Sequence, residues 1–178
     1  MKISVFVVAS VLAIGLGFSN TAHAQKWADL TMTVLLDGEV PKAKEVDIKT
    51  DPVCMQNKVM SEELVIDPST KSIANIVFMV DSKKTKLTAK QLHPDVEKVP
   101  SDKLVMDNLK CAFVPHVMAM RAGQILLVKN SDQTGHNAKF NFFKNEEVNP
   151  MIPVGGSKEI VTTLEEPTPT KVECSIHP

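Results

Sequence analysis

The sequence predicts an all-β domain, an antiparallel sandwich or barrel of short strands, and three observations carry that expectation. Apolar and β-branched runs of strand length recur along the chain, Gly, Pro, Asn and Asp separate them, and long helical periodicity is scarce. The first run, 31–36 (TMTVLL), ends at Asp37-Gly38, and 73–80 (IANIVFMV) ends at Asp81. Residues 103–106, 117–120, 125–129, 138–142, 158–163 and 171–174 supply the further strands. Between them lie the turn signals Ala122-Gly123, Asn130-Ser131-Asp132, Gly155-Gly156 and Glu166-Pro167. Many short strands at such spacing suit a two-sheet or closed β architecture. Segments 55–63 and 82–102 break the rhythm, the latter through Pro94 and Pro100, and are expected to be irregular or briefly helical.

Ahead of these strands, Met1-Lys2 leads into an apolar stretch over 3–18 and on to Ala22-His23-Ala24, the order of a secretory signal peptide cleaved after Ala24. The stretch is shorter than the roughly 20 residues of a membrane-spanning helix, and no comparable one follows. The expected organisation is a leader over 1–24 and one domain over 25–178, periplasmic or secreted, without a membrane span. A formal net charge of −1 over 178 residues offers no electrostatic footprint for nucleic acid.

Export makes cysteine arithmetic informative, because three cysteines in an oxidising compartment leave one to be explained separately. Cys54 and Cys111 are expected to be bonded to each other, tying the stretch around 52–56 to the rest of the domain. Connectivity cannot be read from spacing, so Cys174 paired with either of them, or free buried thiols, stay open. Cys174 belongs to Cys174-Ser175-Ile176-His177, where a thiolate and an imidazole three residues apart just beyond a strand can turn toward one point. A second imidazole, His136, follows the turn 131–135, and loops at one end of a sandwich converge even when distant in sequence. Two imidazoles and one thiolate are the trigonal ligand set of a blue-copper electron-transfer centre. One copper ion is therefore the expected cofactor, and His136, Cys174 and His177 its expected ligands. His116, after Pro115, is expected to be a structural histidine, and Met118 and Met120 to be core residues.

The stretch Gly123-Gln124-Ile125-Leu126-Leu127-Val128-Lys129-Asn130-Ser131-Asp132, then His136-Asn137 and Cys174-Ser175-Ile176-His177-Pro178, resembles the cupredoxins, the plastocyanin and azurin family of small blue copper proteins. The C-terminal loop is similar in spacing to the Cys-x-x-His-Pro-x-Met of amicyanins. Cys111-Ala112-Phe113-Val114-Pro115-His116 resembles a Cys-x-Phe-x-Pro-His segment of bacterial methylamine utilisation proteins. The likeness is specific over 111–178 and only general before it. It implies a Greek-key β-sandwich and the same three ligands. It also implies that Asn137 hydrogen-bonds toward Ser175 to hold the two ligand loops in register, and that an exposed edge of His177 is the electron's way in and out. The pattern continues past Pro178 to an axial methionine and a closing strand, so the resemblance implies a chain truncated at its C-terminus and a sandwich without its last strand.

The function expected from these residues is electron transfer with redox protein partners, and no enzyme activity. Two other accounts use the same residues: a metal-free β-sandwich serving in binding or adhesion, and a copper storage or delivery protein. A third account, with Cys174 as nucleophile and His177 as base, is disfavoured by their closeness in sequence and by the absence of an evident third orienting group.

Overall fold

The computed structural model describes residues 2–6, 29–49, 51–80, 84–86, 88, 91–96 and 98–177. Strands dominate these residues, and helix is confined to single turns. Among the described residues ten strands occur: β1 Lys2–Phe6, β2 Thr33–Asp37, β3 Leu104–Leu109, β4 Ala112–Val114, β5 Ile125–Asn130, β6 His136–Asn137, β7 Lys139–Phe140, β8 Met151–Ile152, β9 Ser157–Val161 and β10 Val172–Glu173. Helix α1 is Pro52–Met55, and Pro94–Val96 forms one 3-10 turn. Apart from β1, which pairs antiparallel with β2, the leader expected over 1–24 lies outside the described residues.

The largest sheet has the order β4-β3-β5-β9. It is mixed, whereas an antiparallel arrangement was expected: β3 and β5 run parallel, with Leu104 opposite Leu126 and Asn108 opposite Asn130. The reason lies in the hairpin between them. Because β4 turns back along β3, the chain returns toward the end where β3 began, and β5 starts from there beside it. The hairpin turn is Lys110-Cys111, both with left-handed backbone (φ 55° and 61°), a geometry usually given to Asn-Gly. It persists because the Asp132 carboxylate accepts both backbone N–H groups, at 2.6 Å from Lys110 and 2.7 Å from Cys111.

One face of this sheet buries Met106, Leu126, Val128 and Ile160 against Ala138, Phe140 and Ile152 from the short ribbons β6–β8 and β7–β10. Alternation along β5 explains the selection, since Leu126 and Val128 share a face and are 2 % and 0 % exposed. Met118 and Met120 pack against this core without forming the strand expected over 117–120. Of the strand expected over 138–142 only Lys139–Phe140 forms, as β7, and it pairs with β10, whereas β6 just before it pairs with β8.

The run 73–80 departs most from expectation. Only Ile73 keeps a ladder contact, opposite Ile66. Asn75 then adopts a left-handed conformation (φ 59°), which turns the chain away, and Ile76 to Val80 lie exposed outside any strand.

Candidate metal centre

Three loops and one short strand meet at one end of the large sheet. The carbonyl end of β5 is anchored by Asn130, a buried side chain whose Nδ2 donates to the carbonyls of Thr134 (2.8 Å) and Ile152 (2.9 Å), while its Oδ1 accepts from the Asp132 N–H. That knot shapes the turn 131–135 and delivers His136 into β6, where it is 2 % exposed. On the other side, β10 ends at Glu173 and releases Cys174 and His177 into a loop beside it.

Asn137 ties this loop to β6. Its Oδ1 accepts from the backbone N–H of Ser175 (2.9 Å) and Ile176 (3.2 Å), and its Nδ2 donates to Ser175 Oγ (3.3 Å) and to Asn149 Oδ1. A buried amide with this many partners is a rigid spacer between two ligand-bearing segments.

The structure brings His136, Cys174 and His177 together. Cys174 Sγ lies 3.8 Å from His136 Nδ1 and 3.5 Å from His177 Nδ1, and the two Nδ1 atoms are 3.1 Å apart. A point about 2.0 Å from all three exists in their plane, the length of a transition-metal bond to imidazole. The far side of each ring faces a carboxylate. His136 Nε2 is 3.0 Å from Asp132 Oδ2, and His177 Nε2 is 3.3 Å from Asp51 Oδ2. A proton held on Nε2 by these oxygens is the tautomer that frees Nδ1 to bind a cation.

Electrostatics in the cluster favours an ionised sulfur. Burial opposes ionisation of Cys174, but hydrogen bonds from His136 and from the backbone N–H groups of Asn137, His177 and Ile176 outweigh it and bring the thiol from 9.0 to about 6. Burial likewise opposes charge on His136, yet hydrogen bonding and attraction from Cys174 and Asp132 raise its pKa above 6.5.

Cys54 and Cys111 form a disulfide, so Cys174 is the free thiol. The bridge adjoins the cluster: Cys54 Sγ falls within 4.8 Å of ring nitrogens of both His136 and His177. His116 stands apart and exposed, with Nδ1 at 2.9 Å from a Glu62 carboxylate oxygen. Met151 lies on β8 opposite Asn137 and is largely exposed.

The expectation of an exposed His177 edge is corrected. Its side chain is only 8 % exposed, and its Nε2 faces Asp51 Oδ2. Asp51 and Asp132 were not singled out from the sequence. Asp132 was legible only as turn punctuation, although it stands one helical turn's spacing before His136. Asp51-Pro52 is a helix N-cap followed by proline at the first helical position, a recognisable signal with no hint of a remote imidazole.

No family model, curated protein or solved structure matches the chain. Among the described residues no helix is long and apolar enough to cross a membrane.

Proposed function

We propose that this protein is a cupredoxin-like β-sandwich of the periplasm or exterior that binds one copper ion through His136, Cys174 and His177 and passes electrons between redox partner proteins. A single observation carries the reading: the Nδ1 atoms of two imidazoles and the sulfur of the one free thiol converge within 3.1 to 3.8 Å of one another. Without a cation at their centre, such donors repel unless protons intervene. Soft sulfur with two borderline nitrogens is the donor set suited to copper in both its oxidation states. The bound ion supplies a one-electron couple. The chain's own residues do the rest: Asn137 and Asn130 keep the ligand loops rigid, Asp132 and Asp51 orient the rings, and the core under β6 excludes water. No bond to a substrate is made or broken in this reading.

The test is the visible spectrum and copper content after Cu(II) addition, for the wild type and Cys174→Ala. The wild type is expected to show an intense band near ~600 nm, typical of a thiolate-copper(II) set, that disappears in the variant. A colourless, copper-free wild type would favour a metal-free sandwich serving in binding or adhesion.

A further inference from the structure

Asp51 belongs to none of the segments that carry the ligands, yet it reaches the cluster with one oxygen while the other is fully engaged elsewhere. Oδ1 caps α1 by accepting the backbone N–H of Val53 (2.8 Å) and Cys54 (3.0 Å). Oδ2 accepts from Thr134 Oγ1 (3.0 Å) and faces His177 Nε2. The helix so capped contains Cys54, which is completely buried and bonded to Cys111. The backbone N–H of Cys111 donates to Asp132 Oδ2, and the same oxygen faces His136 Nε2. A continuous circuit thus runs from His177 through Asp51, α1, the disulfide and Asp132 to His136.

We propose that Asp51 is a positioning residue of the centre, fixing the His177 tautomer that turns Nδ1 toward Cys174, and that the Cys54–Cys111 bridge fastens the loop 51–57 as a clamp over that ring. The proposal rests on the copper reading for its purpose, though not for its geometry. It assigns the 51–57 excursion a task beyond tying down the chain. The same contact accompanies the low exposure of the His177 side chain.

Asp51→Asn is the discriminating variant. Asparagine is as good an N-cap as aspartate, so its oxygen keeps the bonds to Val53 and Cys54. Its amide NH2 then stands where Oδ2 stood and cannot accept a hydrogen bond from Nε2–H. Nitrogen-15 NMR of the imidazole rings in the copper-free protein is expected to show His177 with its proton on Nε2 in the wild type and shifted toward Nδ1 in the variant. Copper affinity should fall by about 10- to 100-fold, the range for loss of such an outer partner, while the thermal unfolding midpoint of the copper-free protein stays close to that of the wild type. Asp51→Ser, which keeps a capping oxygen but is too short to reach the ring, should behave alike. An unchanged His177 ring in Asp51→Asn overturns the clamp whatever the metal result. A wild type that takes up no copper overturns the copper reading, and the ring spectra still decide whether Asp51 sets the imidazole.

Discussion

The end of the domain that gathers His136, Cys174 and His177 is built from polar side chains, and they are among its most buried residues. The stretch 76–80 is the reverse, five consecutive apolar residues that lie exposed. The difference shows that burial follows from available partners more than from hydropathy. Asn130, Asp132, His136 and Asn137 can leave water because each finds hydrogen-bond partners inside, and no buried polar side chain among the described residues lacks one. Ile76 to Val80 follow the left-handed Asn75 and lie outside any described strand.

The contrast predicts where substitutions hurt. The largest effect is expected from replacing both Cys54 and Cys111 by Ala, since their bridge closes a separation of 57 residues and anchors the site end. A loss of about 4 kcal/mol is expected from chain entropy, measured by urea unfolding, and a loss below about 1 kcal/mol would show that the polar network holds the loop 51–57 unaided. Next comes Asn137→Ala, which strips the acceptor from the Ser175 and Ile176 N–H groups. That change should cost about 1 kcal/mol, as expected for hydrogen bonds lost from part-buried groups. An unchanged unfolding midpoint would mean that this loop is not held through Asn137.

Acid dependence gives a smaller, pH-specific effect. Desolvation acts against the Glu166 carboxylate, but N–H donors from Asn145, Phe143 and Lys144, with the Asn145 side chain, prevail and lower its pKa from 4.5 to about 2. A depressed folded-state pKa contributes stability that is complete above about 4.5 and is lost as pH falls through about 2. Wild-type stability should therefore drop more steeply than that of Glu166→Gln over this window, and parallel curves would refute the assignment. The smallest effect is expected at the exposed run, where Phe78→Ser should shift stability by less than about 0.5 kcal/mol. A much larger loss would mean that the run is buried against something in solution.

Much of the strand content and the three converging donors were legible because they depend on local signals. Period-two burial marks 104–109 and 125–130, and a thiol three residues from an imidazole can face one point whatever surrounds it. The parallel pairing of β3 with β5 was not legible, since register and direction are settled by which edge is free when the chain returns. The run 73–80 misled for a related reason: an apolar run of strand length signals a strand only if an edge accepts it.

By itself the sequence determined the residue chemistry of this protein: short strands, one odd cysteine, and the sulfur and nitrogen donors of 136 and 174–177. Tertiary structure alone decided which carboxylates face the two imidazoles and that His177 is covered. The carboxylate facing His177 is 126 positions away in sequence, and it also binds Thr134, 83 positions from it. Only a folded chain, held by a buried disulfide and a saturated hydrogen-bond network, brings such distant groups within 3.3 Å of one another.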